Sequence, residues 1–291
     1  MLSSYTVVYV MMQSEHNAEL HPVKVMAIVN ITPDSFFSSS RNTAYRDVVA
    51  RVEQAVREGA DILDLGGYSS RPGADDIDVE EEWRRVQMGL DAVRSVGAGL
   101  KISIDTFRSE VVRRAYDHFG GFTVNDISAG ERDERMIECV ARLGLEYVAM
   151  HMRGTSDTMQ SLTEYKDGVC CEVERYLTRR VEELVTAGVA RERIILDPGY
   201  GFAKSVEQNW QLLDVIEPLS RRSRVLVGVS RKSMIYKPLG LKPEGVLPGS
   251  LALAWEALRR GAQILRVHDV AATRQVADMY NYYKRVTDDR G

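Results

Sequence analysis

Residues 100–126 read LKISIDTFRSEVVRRAYDHFGGFTVND, and this stretch contains one complete repeat of the pattern that decides the fold. An apolar run at 100–105 is followed by an amphipathic run at 109–118, by Gly120, and by a second apolar run at 122–126. Short β-branched runs predict buried strands, apolar residues at helical spacing predict a helix, and a glycine just after them is a common helix end. The stretch therefore predicts a strand, a helix and a second strand.

The same alternation extends outward from this unit through most of the chain. Strands are predicted at residues 25–30, 62–65, 100–105, 122–126, 147–150, 193–197, 224–229 and 264–267. Helical patterns between them include residues 44–58, 80–96, 109–118, 132–143, 169–187 and 251–260. Eight strands, each followed by a helix, over roughly 250 residues predict an α/β protein with a single-domain (β/α)8 TIM barrel. An open doubly wound sheet is the alternative, and the absence of Gly-x-Gly-x-x-Gly after the first strand weakens it.

Composition narrows the classes of partner. Of 291 residues, 44% are hydrophobic, and 38 basic and 42 acidic residues give a net charge of −4. This balance argues against a nucleic-acid or membrane partner, so that any anion site must be local. The three cysteines include no CxxC pair and no disulfide framework, which fits a reducing cytoplasm. We expect residues 23–287 to form the barrel and residues 1–22 to form an extension that covers its floor.

Polar side chains cluster where the predicted strands end. The clusters lie at residues 30–36, 66–73, 105, 125–126, 150–153, 197–202, 228–233 and 266–269. A single strand-end Asp or Asn is often only the cap of the next helix. In a TIM barrel, however, all eight carboxyl ends meet at one mouth, where catalytic groups lie. The joint pattern therefore predicts an active site at the C-terminal ends of the strands.

Three strand-end side chains have the hydrogen-bonding capacity to bind a flat heterocycle. Asp105, Asn125 and Asp197 offer several acceptors and one amide donor. A 2-amino-4-oxopyrimidine presents adjacent N–H donors beside an acceptor, and a carboxylate can accept from two of those donors at once. Lys232 can donate to the opposite edge of such a ring. Met150 and Phe202 are suitable apolar neighbours for its faces.

A second group of residues is suited to phosphate. Arg71, Arg266 and His268 provide cationic or donor groups, and the last two follow the eighth strand, where barrels commonly bind phosphate. Residues two apart on an extended segment point to the same side, so Arg266 and His268 can act together. Mg²⁺ is plausible beside a diphosphate because it needs few protein ligands besides phosphate oxygens. The amide oxygen of Asn30 is the candidate ligand for this metal.

With these motifs in place, the chain resembles the dihydropteroate synthases from about Val25 to about Tyr283. The motifs that carry the resemblance are NITPDSF at 30–36, SSRPG at 69–73, DPGYGF at 197–202, SRKS at 230–233 and RVHD at 266–269. The resemblance implies a transferase that joins 4-aminobenzoate to (7,8-dihydropterin-6-yl)methyl diphosphate in folate biosynthesis. It also implies Mg²⁺ as cofactor and a homodimer.

The resemblance further implies a role for individual residues. The pterin would be bound by Asp105, Asn125, Met150, Asp197, Phe202 and Lys232. The diphosphate would be bound by Asn30, Arg71, Arg266 and His268, with Asn30 also binding the metal. The 4-aminobenzoate would be bound by Phe36, Ser70, Pro72 and Ser233. Asp34, Asp105 and Lys232 would be catalytic, with Asp34 stabilising the cation that is left when diphosphate departs.

Departures from the family's usual sequence include Tyr68, Ser70, Arg108 and the run 37–40. They bear on the loops and on the 4-aminobenzoate site more than on the reaction. Two other functions are consistent with the same barrel. A methyltetrahydrofolate-dependent methyltransferase would share the acceptor set of Asp105, Asn125 and Asp197 but would need no diphosphate pocket. A non-catalytic pterin-binding protein would not need Asp34, Asn30 and Lys232.

Overall fold

Eight parallel strands close into a barrel in a computed structural model that describes residues 23–32, 41–69, 76–97, 99–155 and 158–288. The strands pair in chain order, and β8 closes onto β1. They are β1 (Lys24–Asn30), β2 (Ile62–Gly66), β3 (Lys101–Asp105), β4 (Thr123–Asp126), β5 (Glu146–Met150), β6 (Ile194–Asp197), β7 (Arg224–Val227) and β8 (Ile264–Val267). The predicted (β/α)8 barrel is confirmed, and the open doubly wound sheet is excluded.

Helices follow the strands around the outside of the barrel. They are α1 (Arg41–Arg57), α2 (Val79–Val96), α3 (Ser109–Phe119), α4 (Met136–Leu143), α5 (Val169–Thr186), α6 (Val206–Gln211), α7 (Ile216–Ser220), α8 (Ser233–Leu239), α9 (Leu247–Arg259) and α10 (Val270–Asp288). The six predicted helical segments are all present. The segment predicted to start at residue 132 is wrong at its start, because α4 begins at Met136. The Asp133 side chain instead accepts hydrogen bonds from the backbone N–H groups of Ser109 and Arg135.

Side chains alternate between the barrel interior and the helices, because strand residues two apart point to the same side. Six apolar side chains pack together on the inner side and fill the lower barrel: Met26, Ile62, Val148, Ile195, Leu226 and Ile264. Their neighbours along the strands, such as Leu63 and Leu265, belong to the larger core shared with the helices. Two positions after Ile62 stands Asp64, and two positions after Ile264 stands Arg266. The interior therefore changes from apolar to charged toward the C-terminal mouth.

The strand register aligns the polar strand ends. Asn30 pairs with Gly66, Gly66 with Asp105, and Asp105 with Asn125. On the other side of the barrel Met150 pairs with Asp197. Residues far apart in sequence thus form one row around the mouth.

The expectation that residues 1–22 cover the barrel floor lies outside the described residues and stays a prediction. In the part of the chain that is described, no helix is long and apolar enough to cross a membrane.

Leu90 on α2 is fully buried against the barrel, whereas Leu239 at the end of α8 is 58% exposed. We expect Leu90→Ala to lower the free energy of unfolding by about 2–5 kcal/mol, because it removes buried methyl groups and leaves a cavity. Leu239→Ala is the matched control and should change it by less than about 0.5 kcal/mol. Urea denaturation of both variants gives the comparison, and equal losses would contradict the packing described here.

Candidate active site

An inner pocket opens at the C-terminal mouth of the barrel. It is lined by Asp105, Asn125, Ile127, Met150, Asp197, Tyr200, Phe202, Gly228, Lys232 and Arg266. The six residues predicted to contact a flat heterocycle all lie in this lining. The pocket combines an acidic and amide side with apolar walls, as such a ligand requires.

Arg266 is the centre of a charge cluster at the bottom of this pocket. Its Nε donates to Oδ2 of Asp64 at 2.6 Å, and its Nη2 donates to Oδ2 of Asp105 at 2.8 Å. Asp64 is completely buried on β2. Nδ2 of Asn125 also donates to Asp64, at 3.2 and 3.4 Å to the two oxygens. The amide oxygen of Asn125 is therefore left to act as an acceptor toward the pocket.

Asp64 was not among the site residues predicted from the sequence. It stands in the middle of the run ILDLG rather than at a strand end. A signal was present, because an Asp flanked by apolar residues and two positions from Ile62 must point into the barrel. A buried charge requires a partner, and Arg266 is that partner here.

Ionisation at the pocket is shifted by loss of hydration. Burial raises the pKa of Asp105 to about 7, although Arg266 opposes the shift. Burial likewise raises the pKa of Asp197, whose Oδ1 accepts from the backbone N–H of Gly199 at 2.8 Å. On the opposite side, burial lowers the pKa of Lys232 to about 8. Groups with pKa values near neutrality are typical of functional sites.

Lys232 joins the pocket to the loop after β6. Its Nζ donates to the backbone carbonyl of Tyr200 at 2.7 Å and lies 4.6 Å from the centroid of the Phe202 ring. Phe202 packs beside the apolar cluster that includes Met150. The ammonium group and the ring are therefore placed on the same side of the pocket.

A second pocket, called the outer pocket here, includes the end of β1 and the segment that follows β8. Its lining is Ile28, Asn30, Arg51, Gln54, Glu58, Arg231, Leu247, His268, Asp269, Val270, Ala271 and Ala272. It contains Asn30 and His268 from the predicted phosphate set, together with the first turn of α10, whose free N–H groups favour anions. Arg266 lines the inner pocket and not this one.

Two arginines that the sequence analysis left unassigned lie in the outer pocket. Arg51 donates to the carbonyl oxygens of Ile28 and His268, and Arg231 forms a two-point ion pair with Asp269. Arg231 adopts a positive φ of 57°, which is uncommon for a residue with a side chain. Arg231 could have been predicted from the sequence, because it belongs to the SRKS segment at 230–233. Burial, Arg266 and Arg231 together lower the pKa of His268 to about 4, so the imidazole is neutral at pH 7 without an anion.

Asn30 has the chemistry of a magnesium ligand. Asn30 lies at the end of β1 and lines the outer pocket, and its amide oxygen is a hard ligand of the kind that Mg²⁺ takes. Mg²⁺ uses one or two protein oxygens and completes its shell with water and phosphate oxygens. The residues present therefore fit that ion.

Five predicted site residues lie outside the described residues: Asp34, Phe36, Ser70, Arg71 and Pro72. Ser233 is described, and it begins α8 directly after Lys232. The two sequence departures at 68 and 108 lie together at the rim. The Tyr68 and Phe107 rings meet edge to face at 5.1 Å, and the Arg108 guanidinium lies over both. Arg108 is fixed by buried Glu82 at 2.6 Å.

A closed parallel barrel with a polar pocket lined by side chains from its strand ends has the architecture of a TIM-barrel enzyme. A family described as pterin binding enzymes matches residues 26–268. The chain belongs to the dihydropteroate synthase family, whose members are transferases.

Individual comparisons agree with this assignment. The dihydropteroate synthase of Neisseria meningitidis serogroup C is 43% identical over 86% of this chain and 89% of its own length. The folic acid synthesis protein fol1 of Schizosaccharomyces pombe is 38% identical over 90% of this chain, which spans 36% of that longer protein. The Xanthomonas albilineans dihydropteroate synthase, solved with 4-aminobenzoic acid, has a TM-score of 0.82 and 39% identity, over 91% of this chain and 94% of its own. The same enzyme was also solved with 7,8-dihydropteroate.

The buried Asp64 should be needed for stability. We expect Asp64→Asn to lower the free energy of unfolding by about 3 kcal/mol or more, because it removes one charge from a buried ion pair and leaves Arg266 undercompensated. Glu80→Gln is the control, because Glu80 forms its ion pair with Arg114 on the surface. Urea denaturation should show no change for that variant. An unchanged stability of Asp64→Asn would show that Arg266 does not depend on this partner.

Proposed function

We propose that this chain condenses 4-aminobenzoate with (7,8-dihydropterin-6-yl)methyl diphosphate, giving 7,8-dihydropteroate and diphosphate in folate biosynthesis. The observation that carries this proposal is the inner pocket, in which acceptors and a lysine face each other across apolar walls. Membership of the family supports it. The ligands of the Xanthomonas enzyme, 4-aminobenzoic acid and 7,8-dihydropteroate, correspond to one substrate and the product of this reaction.

The pterin occupies the inner pocket in this proposal. Ionised Asp105 and Asp197 and the oxygen of Asn125 accept from the amino and ring N–H groups of the pterin. Lys232 donates to its carbonyl oxygen or ring nitrogen. Met150 and Phe202 contact the ring faces. The cluster of Arg266 and Asp64 fixes Asp105 and Asn125 before the ligand arrives, which lowers the cost of binding.

The diphosphate occupies the outer pocket, with Asn30, Arg71 and His268 as its contacts. Arg266 lines the inner pocket, and its positive charge is proposed to act on the diphosphate as well. Arg51 and Arg231 add positive charge to the outer pocket. Asn30 would bind Mg²⁺, which would neutralise charge on the leaving group when bound. Phe36, Ser70, Pro72 and Ser233 are proposed to bind 4-aminobenzoate.

The chemistry requires little proton transfer from the protein. Breaking the bond between carbon and diphosphate leaves positive charge that the electron-rich dihydropterin can delocalise, and Asp34 is proposed to stabilise it. Asp105 and Lys232 hold the ring that carries this charge, and so take part in catalysis. The aromatic amine is neutral at pH 7 and attacks with its own electron pair, and the protonated nitrogen that results then loses one proton to water or to the released diphosphate. Donors at the outer pocket stabilise the charge on the departing diphosphate.

The homodimer and the cytoplasmic location remain proposals. An exposed face on α10 supports a contact with a second copy, because Met279, Tyr282 and Tyr283 are 65%, 60% and 43% exposed there. Exposed apolar patches often mark protein contacts. Light scattering on the purified chain gives its mass, and a monomer would remove this proposal. The three cysteines are free thiols, which is consistent with a reducing compartment.

A turnover assay separates this function from its two rivals. Diphosphate release should require both the pterin diphosphate and 4-aminobenzoate, and it should depend on Mg²⁺. A methyltransferase would release no diphosphate, and a non-catalytic protein would bind the pterin without turnover. The outer anion pocket favours the synthase, because a methyl donor has no diphosphate to occupy it.

The two carboxylates should control pterin affinity. We expect Asp105→Asn and Asp197→Asn each to weaken binding of a pterin ligand by about tenfold or more, because each loses charged hydrogen bonds worth about 1.5–3 kcal/mol. Calorimetric titration measures this, and Asp117→Asn on the exposed surface of α3 is the control. Unchanged affinity in both pocket variants would remove the pterin assignment.

Pterin affinity should also depend on pH. Because the pKa of Asp105 is raised to about 7, its carboxylate is fully available only above that pH. Affinity should therefore fall as pH is lowered through 7, by up to about tenfold for each pH unit. In Asp105→Asn this part of the profile should disappear. A profile unaltered by the substitution would assign the titration to another group.

Diphosphate should bind at the outer pocket independently of the pterin contacts. We expect His268→Ala to weaken inhibition by magnesium diphosphate by about tenfold or more, because one hydrogen bond to a charged group is lost. Pterin affinity should be unchanged. Gln54→Ala is the matched control, because Gln54 lines the same pocket but donates to Glu58. Equal inhibition of all three proteins would place the anion elsewhere.

A further inference from the structure

The loop from residue 198 to residue 204 forms one wall of the inner pocket and is held from two sides by lysines. Lys232 donates from the pocket side to the carbonyl of Tyr200. Lys204 donates from the other side to the carbonyls of Gly199 and Phe202, at 3.0 and 2.9 Å. Three carbonyls of this short loop therefore accept from two different ammonium groups.

Lys204 is 4% exposed, and the third group that it contacts, His151, is buried as well. Nζ lies 3.0 Å from Nδ1 of His151, which is 2% exposed. An ammonium group can only donate, so Nδ1 accepts and the imidazole is neutral with its proton on Nε2. Burial and then Lys204 lower the pKa of His151 to about 2, which agrees with a neutral ring. All three N–H donors of Lys204 are thus used in the interior.

The backbone that Lys204 binds is held in an uncommon conformation. Gly199, Gly201 and Ala203 have φ angles of 73°, 82° and 53°. A Cβ on Gly199 would lie 2.0 Å from the carbonyl oxygen of His151, so a glycine is required there. Sparsely populated backbone conformations persist only where the surroundings hold them. The Lys204 contacts supply part of that restraint, beside the hydrogen bond from Tyr165 to the Ala203 carbonyl.

We propose that Lys204, together with His151, is a positioning residue for the pterin substrate. The pair fixes the loop so that the Phe202 ring and the Tyr200 carbonyl, which orients Lys232, stand at the inner pocket. Neither residue lines that pocket, and both act through the loop. The inference rests on the proposed pterin site.

Replacing Lys204 should destabilise the conformation of the loop at residues 198–204. An apolar residue at this position would remove the donor to the Phe202 carbonyl and to Nδ1 of His151, and would leave the Gly199 carbonyl with only the backbone N–H of Phe202. Unpaired buried polar groups are unfavourable. The loop relieves this by rotating its carbonyls toward water, which moves Phe202 and releases Lys232. Burial lowers the pKa of Lys204 to about 7, and Lys232 and Arg153 act in the same direction, whereas Asp197 favours its charged form. The 4-aminobenzoate contacts proposed on other loops are left in place.

The test compares the two substrates in Lys204→Met. We expect the KM for the pterin diphosphate to rise by about tenfold or more, as loss of a charged hydrogen bond implies. The KM for 4-aminobenzoate and the inhibition by magnesium diphosphate should be unchanged. If Lys204 served only stability, its substitution would lower the melting temperature without changing the KM values of the folded protein. Unchanged KM for the pterin diphosphate, or an equal rise for both substrates, overturns the proposal.

A matched pair at His151 tests the same contact without removing the lysine. His151→Asn keeps an acceptor near the position of Nδ1, whereas His151→Leu removes it, and both lose the ring. Pterin affinity should be substantially retained in the Asn variant and lost in the Leu variant. Equal affinities in the two variants overturn the role of the pair, even where Lys204→Met does not fold.

Asp197→Asn separates this inference from the proposed function. If that variant retains full pterin affinity, the pterin site itself is wrong. If it loses affinity while Lys204→Met does not, the site stands and the positioning role fails.

Discussion

The buried ion pair between Arg266 and Asp64 is the constraint on which the mouth of the barrel depends. Asp64 is completely enclosed, and its carboxylate accepts from Arg266 at 2.6 Å and from the amide of Asn125. A charge in the interior is tolerated only with a close partner. The pair therefore fixes Arg266, which in turn donates to Asp105. Four strands, β2, β3, β4 and β8, are joined by this single cluster.

The position of the cluster follows from the way the barrel is filled. The lower interior is packed by apolar side chains that include Ile62 and Ile264. The next inward positions on the same strands are Asp64 and Arg266, so the polar site rests directly on the apolar packing. This boundary lowers hydration at Asp105 and Lys232 and shifts their pKa values toward neutrality. The fold thus creates the electrostatic conditions of the site.

In the proposed reaction, the two pockets would divide the recognition of one substrate. The inner pocket has acceptors, a lysine and apolar walls, whereas the outer pocket has arginines, a histidine and the start of α10. A pterin and a diphosphate joined by one methylene group match this division. The bond that breaks would lie between the ring and the diphosphate. The loop after β6, restrained by Lys204 and Lys232, would set the position of the ring in the inner pocket.

Much of this organisation could be predicted from the sequence, because strands and helices have their own periodicities. The alternation of runs determined the eight strands, and the strand ends identified Asp105, Asn125, Asp197 and Lys232 as neighbours. Local patterns can do this because all parallel strands of a barrel end at the same mouth.

Only the tertiary structure decided which charges pair. Asp64 and Arg266 are 202 positions apart, and nothing local relates them. Closing β8 onto β1 brings Arg266 across the interior to Asp64, so that Arg266 lines the inner pocket while His268, two residues on, lines the outer one. Lys204 and His151 are likewise 53 positions apart and meet only when β5 and β6 pair. Sequence determines which way each side chain points along a strand, but closure of the barrel determines what it meets inside.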